Sequence, residues 1–320
     1  RTSSTKEAGM RIARVATGGE ERTTVIDGSW ARILAPTVTV LDLLAAGAAE
    51  RERLAATAES EAALGDVGLL APVAPATIRD FSVFEQHVEG VVRIGGPGVR
   101  VPEVWYKSPF CYFSNPHALT GPDAEIPVPP GCVDLDFELE VAAVIGRAGR
   151  DLHPDEAGAH IAGYTIFNDW SARDLQLAEM RLGLGPCKGK DFANTLGPWI
   201  VTADELEPHR DGDRLDLELR AEINGAQIDA DTLANMAWSF EELVAYASRG
   251  TWVRPGDVLG SGTCGGGCLL ELWGRRGREG LPPLAPGDEV ALHVEGIGTL
   301  RNRIVAGTEP IALPRARARR

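Results

Sequence analysis

The chain has 320 residues, of which 46 are Asp or Glu and 32 are Lys or Arg, so its formal net charge is −14. This excess of acid argues against binding to nucleic acid or to an anionic membrane, because both need clustered cations. At 44% hydrophobic and 24% charged, the composition is that of a globular protein. No apolar run reaches the roughly 20 residues that span a bilayer. We therefore expect a cytoplasmic protein.

Residues 10–76 predict a small N-terminal α+β unit. Alternating apolar residues on both sides of Gly18-Gly19 predict a hairpin. Thr39 and Asp42 have the spacing of a capping box, which predicts helical structure from there to about Leu64. Pro72 and Pro75 then mark the linker to the rest of the chain.

The remainder of the chain predicts a β-rich domain of short strands. Gly and Pro punctuate it throughout, and Asn224-Gly225 after an alternating run predicts a hairpin. Ser239 and Glu242 form a second capping-box signal, for a helix to about Ser248. We expect four parts: a flexible extension (1–9), the N-terminal domain (10–76), a catalytic domain (77–313) and a basic tail (314–320).

Five cysteines, an odd number scattered along the chain, do not form a disulfide framework. Cys264 and Cys268 are spaced as C-x3-C, but no second Cys/His pair stands at zinc spacing. We expect reduced, structural cysteines.

The most informative segment is 133–141, where acidic and apolar residues alternate. In a strand this places Asp134, Asp136, Glu138 and Glu140 on one face. The alternative is a half-exposed strand with a solvated acidic face. Because the segment continues into the apolar run 142–145, we expect burial, and buried acids require a cation that accepts oxygen ligands.

A further ligand is expected from Asp169, which lies at the end of the apolar strand predicted over 164–167, two residues beyond it. Ser171 and Asp174 resemble the start of a helix, on which Arg173 and Gln176 share one face. The alternative is that Asp169 only caps this helix. In the Gly-rich loop that follows, Lys190 could hold an anionic intermediate.

These segments resemble, in order and spacing, the fumarylacetoacetate hydrolase family over roughly residues 78–310. The resemblance implies an α+β, β-rich fold, with a mixed β-roll catalytic domain that follows the small N-terminal domain in the chain. It also implies a homodimer, which is usual in the family. The strings that carry it are Glu138-Leu-Glu140, Asn168-Asp-Trp-Ser-Ala-Arg-Asp-Leu-Gln176, Gly189-Lys-Asp-Phe192 and Gly197-Pro-Trp199.

The resemblance also implies a metal site and a substrate pocket. Glu138, Glu140 and Asp169 would bind Mg2+ or Mn2+, or Ca2+ as in some family members. Groups that would hold or line the substrate are Arg173, Gln176, Lys190, Tyr112 and Thr263, with Trp105, Tyr106 and Phe110 on a lid-like stretch over 80–120.

The family's hydrolases use a water-activating histidine oriented by a glutamate. His87 and Glu271 match those positions, Glu271 in a strand after a Gly-rich loop. The rival histidine is His117, and the rival partners are Glu85 and Glu89.

One departure from the family concerns a further Asp ligand that some hydrolases carry just before this histidine. Val83 is nearest to that position. Whether Asp80 or water supplies the ligand stays open.

Residues 260–265 fit the pattern G-x-G-x-x-G of dinucleotide-binding loops. More glycine and then a strand-like run follow instead of a helix, so the sequence argues against a dinucleotide site. The resemblance makes this loop a substrate-lining segment.

The leading hypothesis is metal-dependent hydrolysis of a C–C bond in a β-diketone or acylpyruvate-type keto acid. A second hypothesis keeps the metal and changes the reaction to oxaloacetate-type decarboxylation, or to keto–enol or double-bond isomerisation. A third is a non-catalytic, metal-dependent binding protein.

Overall fold

The computed structural model of the chain describes residues 9–96, 98–317 and 319. Eight of the nine residues of the predicted extension over 1–9 lie outside this range, as do two residues of the tail. The α-helices of the described residues are α1 (Val40–Ala45), α2 (Ala48–Ala55), α3 (Glu85–Arg93), α4 (Pro154–Ala157), α5 (Arg173–Glu179), α6 (Ala203–Leu206), α7 (Phe240–Ser248) and α8 (Leu269–Arg276).

Strands dominate the described residues, which confirms the predicted α+β, β-rich fold. The strands are β1 (Arg11–Thr17), β2 (Glu20–Asp27), β3 (Trp30–Ile33), β4 (Ser60–Ala63), β5 (Gly68–Leu70), β6 (Ile78–Phe81), β7 (Cys111–Ser114), β8 (Leu119–Thr120), β9 (Glu125–Pro127), β10 (Leu135–Asp136), β11 (Leu139–Ile145), β12 (Gly149–Arg150), β13 (Ile161–Asp169), β14 (Ser171–Ala172), β15 (Asn194–Thr202), β16 (Arg210–Asp211), β17 (Arg214–Leu215), β18 (Glu218–Ile223), β19 (Ala226–Thr232), β20 (Trp252–Val253), β21 (Val258–Gly260), β22 (Glu289–Val294) and β23 (Gly298–Val305).

Two large sheets organise these strands. A 12-stranded sheet follows the order β4-β3-β2-β1-β15-β13-β11-β21-β6-β7, with β5 paired to β1 and β8 to β15. A five-stranded sheet has the order β19-β18-β22-β23-β9. The larger sheet packs one face against the smaller sheet, and α1 packs against the other face. Its central strands are therefore covered on both sides.

Strand β11 shows how this arrangement buries the middle of the larger sheet. Val141, Ala143 and Ile145 belong to the main core between the sheets, whereas Ala142 and Val144 belong to a second core that includes Leu43 and Leu44. Since side chains alternate across a strand, both faces of β11 are apolar, which explains its continuous hydrophobic sequence.

The N-terminal segment joins the larger sheet. Strand β1 pairs with β15, and the helix α1 packs on the face opposite the five-stranded sheet. The predicted hairpin around Gly18-Gly19 is confirmed as β1 and β2. The predicted division at residue 76 remains a prediction.

Local capping signals are confirmed more often than element lengths. Thr39 and Ser239 each form a complete capping box, with Asp42 and Glu242 respectively. The helical structure expected to Leu64 is wrong beyond Ala55, because β4 follows and pairs with β3. Within the described residues, no helix is both long enough and apolar enough to cross a bilayer.

Candidate metal centre

Four carboxylates converge at one end of neighbouring strands in the larger sheet. Strand β13 ends at Asp169, and β6 places Asp80 next to Gly260, the last residue of β21. Glu138 and Glu140 lie just before and at the start of β11, which runs antiparallel to β13. The sheet order therefore brings together residues that are up to 89 positions apart in the sequence.

The carboxylates of Asp80, Glu138, Glu140 and Asp169 are all buried, and one oxygen of each lies within 4.8 Å of the other three. One oxygen each of Asp80, Glu140 and Asp169 has no hydrogen-bond partner. Buried acceptors of this kind are costly unless a cation or donor satisfies them.

Burial perturbs the acidities of these groups. It raises the pKa of Asp80, and it raises the pKa of Asp169 well above the usual range. The pKa of Glu140 rises well above its usual value, first through burial and then through the adjacent Asp80 carboxylate. Burial also disfavours charged Glu138, but the cations Lys190 and Arg173 outweigh it and lower that pKa.

Lys190 and Arg173 are buried cations that both contact Glu138. The Lys190 ammonium donates to Glu138 and to Asp169 Oδ2, the latter at 2.5 Å. Arg173 Nη2 donates to Glu138 Oε1 at 2.7 Å, and Nη1 donates to Gln176 Oε1 at 3.0 Å. Of the predicted substrate-binding residues, Arg173 and Lys190 thus touch the acids directly, whereas Gln176 contacts Arg173.

The cluster is closed by a tyrosine and by glycine backbone. The Tyr112 hydroxyl donates to Asp80 Oδ2 at 2.8 Å and also contacts Asp169. The amide of Gly262 donates to Glu140 Oε2 at 3.0 Å. A Cβ on Gly260 would lie 2.7 Å from both Asp80 Oδ1 and Glu140 Oε2, so glycine gives these oxygens their space.

These residues fit a hard divalent cation. Oxygen ligands are what Mg2+, Mn2+ and Ca2+ prefer, and four converging carboxylates supply them. With Lys190 and Arg173 both in contact with the acids, three buried carboxylate oxygens still have no partner, so the cluster has capacity for a further positive charge. Glu138, Glu140 and Asp169 are the predicted ligands, and Asp80 lies in the same cluster.

The prediction that 133–141 is one strand with a single acidic face is wrong. Strand β10 ends at Asp136 and pairs with β14, while β11 begins at Leu139. Asp134 instead pairs with Arg278, and its Oδ1 lies 2.8 Å from Arg278 Nη1. The interruption between the strands divides the four acids among different roles.

Asp136 serves the beginning of α8. Its carboxylate accepts from the amides of Leu269 and Leu270, at 2.8 and 2.9 Å, and from Arg173 Nε at 2.8 Å. The sequence-based reason for excluding a dinucleotide site is therefore wrong, since a helix does follow 260–265. The exclusion rests instead on Asp136, whose carboxylate occupies the amides that would bind a phosphate.

The predicted capping box at Ser171 and Asp174 is also wrong. The helix α5 begins at Arg173 with no side-chain cap, because Ser171 belongs to β14. The Ser171 hydroxyl donates to the carbonyl oxygen of Asp169 at 2.9 Å. Asp169 directs its carboxylate into the acidic cluster, so the alternative in which it only caps this helix is not supported.

His87 and Glu271 lie beside the acidic cluster, and two helices bring them together. His87 Nδ1 is 3.5 Å from Glu271 Oε2, and the His87 side chain is 12% exposed. A His87 ring nitrogen also lies within 4.8 Å of a Glu138 oxygen. Glu271 belongs to α8, so the strand predicted for it is wrong.

The contact between α3 and α8 depends on two glycines. A Cβ on Gly90 would overlap the Glu271 side chain, and one on Gly274 would overlap the Gly90 carbonyl oxygen. The Glu271 carboxylate is held from the other side, by Gly266 N at 2.7 Å and Arg275 Nη1 at 2.8 Å.

The rival residues have other contacts. His117 is exposed in a short 3-10 turn, and its backbone amide donates to Asn115 Oδ1. Glu85 accepts from the Tyr106 hydroxyl, and Glu89 lies 3.7 Å from Arg93. The structure thus brings Glu271, rather than Glu85 or Glu89, to His87.

The predicted pocket-lining residues separate into two groups. Tyr112 contacts the acids, and Thr263 is buried in the loop that binds Glu140. Trp105 packs edge-on against Trp238 with ring centroids 5.1 Å apart, and Phe110 packs 6.4 Å from Tyr246. These contacts join Trp105 and Phe110 to other aromatic residues rather than to the four acids.

Sequence reasoning left Asp80 open and did not identify the role of Gly260. Val83, nearest to the family's Asp position, is buried in the apolar core. A signal for Asp80 existed in the apolar residues on both sides of it, Ile78 and Phe81, which mark a buried strand. Nothing in the sequence pairs this strand with β21.

A model of a known protein family matches most of the chain. The family model described as "Fumarylacetoacetate (FAA) hydrolase C-terminal" covers residues 76–305. The mitochondrial oxaloacetate tautomerase Fahd2a of Rattus norvegicus is 33% identical over 212 residues, which are 65% of this chain and 61% of that protein. The chain also spans 61% of the fumarylacetoacetase of Arabidopsis thaliana, to which it is 29% identical over 65% of its own length.

Solved structures share the fold. The 2-hydroxyhepta-2,4-diene-1,7-dioate isomerase of Mycobacterium marinum is 28% identical, with a TM-score of 0.67 over 93% of this chain and 98% of that one. A maleylpyruvate hydrolase of Sphingobium sp. SYK-6, solved with manganese(II) and pyruvate, is 20% identical, with a TM-score of 0.69 over 93% and 100% of the two chains.

Proposed function

The chain belongs to the fumarylacetoacetate hydrolase family, and we propose that it is a divalent-metal-dependent enzyme that hydrolyses a C–C bond in a β-diketone or acylpyruvate-type keto acid. The observation that carries this proposal is the position of the His87–Glu271 pair beside the buried carboxylate cluster. A metal cluster alone would serve several reactions, whereas hydrolysis also requires a base for water.

Asp80, Glu138, Glu140 and Asp169 would hold the cation, Mg2+ or Mn2+. A bound divalent ion polarises neighbouring carbonyl oxygens and stabilises the charge of an enolate. The manganese-containing maleylpyruvate hydrolase is a fold relative with such an ion. In this chain, Lys190 and Arg173 would add fixed positive charge for the substrate's oxygens.

His87 would act as the general base. Glu271 faces Nδ1, and a hydrogen bond there would keep the proton on Nδ1 and leave Nε2 free to accept a proton from water. The 3.5 Å separation is longer than a hydrogen bond, as catalytic contacts often are without substrate. Hydroxide would add to the distal carbonyl, the C–C bond would break, and His87 would return the proton to the carbanion.

The experiment compares His87→Gln with His117→Gln, a matched change at the exposed rival histidine. With Mn2+, wild type and His117→Gln should cleave acylpyruvates, and His87→Gln should lose on the order of 10²–10⁴-fold in rate. Mn2+ affinity should be unchanged in both variants. Wild-type cleavage rates in His87→Gln would overturn the assignment of the base.

A second function is favoured by the names of relatives, an oxaloacetate tautomerase and a dienedioate isomerase. Tautomerisation, isomerisation or decarboxylation needs a stabilised enolate without a hydrolytic water. Oxaloacetate should be assayed beside acylpyruvates. Turnover of oxaloacetate alone, unaffected by His87→Gln, would favour this second function, and binding without turnover of any keto acid would favour a binding protein.

We also propose that the chain forms a homodimer. Strand β7 is an edge of the larger sheet, and its Phe113 is 68% exposed. Trp252 is 47% exposed, and Arg79 contacts both residues. Exposed aromatic side chains at a sheet edge are typical of protein interfaces. Light scattering during size-exclusion chromatography should give twice the chain mass, and a monomer would refute this.

A further inference from the structure

A thiol, an imidazole and a carboxylate meet beside the acidic cluster. One ligand atom from each of Cys268, His87 and Glu138 lies within 4.8 Å of the other two. We propose that these residues form a second cation site, selective for a soft divalent metal such as Zn2+, and that a metal bound there stops the enzyme.

The spacing of the two soft ligands fits zinc. Cys268 Sγ is 3.7 Å from His87 Nδ1. Bond lengths of about 2.3 Å to sulfur and about 2.05 Å to nitrogen, at a tetrahedral angle, place the two ligand atoms about 3.6 Å apart. The pair therefore needs almost no movement to bind zinc, and Glu138 would complete a three-residue set.

The sulfur must lose its proton to bind as a thiolate, because burial and the Asp136 carboxylate raise the pKa of the Cys268 thiol well above its usual value. Cys268 is the residue that caps α8, and the amide of Glu271 donates to its Sγ at 3.4 Å. The amides of Leu269 and Leu270 at this end of α8 already donate to Asp136, so the metal itself must displace the thiol proton. When the metal–sulfur bond forms, the thiol proton leaves to water.

The two sites should select different metals. The acidic cluster offers only oxygen, which suits Mg2+ and Mn2+, while sulfur and imidazole suit Zn2+ and Co2+. Glu138 belongs to both groups of residues. Excess Mg2+ should fill the oxygen site, and because it competes poorly for sulfur and imidazole it should leave Cys268 and His87 open to a softer ion.

The inhibitory consequence rests on the proposed function, because a metal on Nδ1 would break the contact with Glu271 and remove His87 as a base. Binding of the metal does not depend on that function. The two parts of the proposal can therefore fail separately.

The binding test uses CoCl2 without substrate, in excess Mg2+, on the full chain. Wild type should show the near-ultraviolet sulfur-to-cobalt charge-transfer band, and ZnCl2 should abolish it. Cys268→Ser should lose the band, whereas Cys264→Ser, a matched change at another buried cysteine, should keep it. No band in wild type, or an equal band in Cys268→Ser, would overturn the site.

Two further measurements protect and extend this test. Circular dichroism checks that each variant folds. If Cys268→Ser does not fold, His87→Gln takes its place, because this change is at a partly exposed position; it should weaken the cobalt band. Activity is then assayed with Mg2+ at one fixed concentration of Zn2+. The wild-type and Cys264→Ser rates should fall at least tenfold, whereas Cys268→Ser should keep more than half of its own zinc-free rate. A band without inhibition would retain the site and reject its effect on catalysis.

Discussion

Replacing Gly260 with alanine tests whether the carboxylates are held in metal-binding positions. A Cβ at this position would lie 2.7 Å from Asp80 Oδ1 and from Glu140 Oε2, and 3.0 Å from Phe167 Cδ1. Ordinary van der Waals contact begins at 3.4 Å, so each oxygen must retreat by about 0.7 Å. Phe167 is buried in the second core and leaves the new methyl group little room to shift.

The size of this displacement sets the expected loss. Metal–ligand distances tolerate shifts of only about 0.2 Å, so two of four ligands would move well outside that range. Mn2+ affinity should fall at least tenfold, equivalent to about 1.4 kcal/mol. Isothermal titration calorimetry on metal-stripped Gly260→Ala and wild type measures this loss.

The matched control for Gly260→Ala is Gly68→Ala. Gly68 also lies in a strand, and the nearest atoms to its added Cβ are 3.9 Å away. This control should bind Mn2+ as wild type does. Equal Mn2+ affinity in Gly260→Ala and wild type would refute the role assigned to Gly260 and the predicted ligand positions beside it.

Three further predictions concern the helix contact, the dyad and the metal's effect on stability. Gly90→Ala should push α3 away from α8 and lower the rate of hydrolysis at least tenfold, with unchanged Mn2+ affinity. Steady-state kinetics measures this loss, and Glu89→Ala, a change at an exposed position in the same helix, is the control. Glu271→Gln should lower kcat on the order of tenfold or more with little change in Mn2+ affinity, and unaltered kcat would contradict the orienting role. In calorimetric unfolding scans, Mn2+ should raise Tm more at pH 8 than at pH 5.5. Burial raises the pKa of Glu140 and of Asp169, so protons compete with the metal for these carboxylates at low pH. For the same reason the metal-free fold becomes less stable as pH rises above the unfolded-state pKa values of these groups. An equal or smaller shift at pH 8 would contradict this linkage.

Sequence patterns predicted those features that depend on neighbouring residues. The capping boxes at Thr39 and Ser239 depend on residues three apart, and the hairpin at Asn224-Gly225 depends on one turn; these three features are confirmed. The capping box predicted at Ser171 has the same spacing, but the pairing of β14 with β10 overrides it. The apolar run of β11 likewise predicted a buried strand. For each of these confirmed features, one short segment contains all the residues that determine it.

The features that the sequence did not predict depend on distant contacts. The strand over 133–141 breaks because β10 pairs with β14 and Asp136 turns to cap α8, more than 130 residues later. The segment around Glu271 is apolar enough for a strand, but its amides are capped and it folds as a helix. Asp80 enters the cluster only because β6 lies beside β21.

The candidate site divides in the same way. Resemblance to a family indicated Glu138, Glu140 and Asp169 from local motifs, and these residues do lie together. Gly90 and Gly274 could not be identified as spacers, since glycine in a sequence does not reveal what approaches it. Close contact between two helices appears only once both are placed.

The proposed function requires one divalent cation, held by Asp80, Glu138, Glu140 and Asp169, for turnover of a keto acid. The most direct measurement titrates Mn2+ into metal-stripped protein while both bound metal and acylpyruvate cleavage are followed. Activity should be absent at first, rise in proportion to bound Mn2+ and saturate at one ion per chain. Full activity before any Mn2+ is added, or saturation of binding without turnover of acylpyruvate or oxaloacetate, would contradict this requirement.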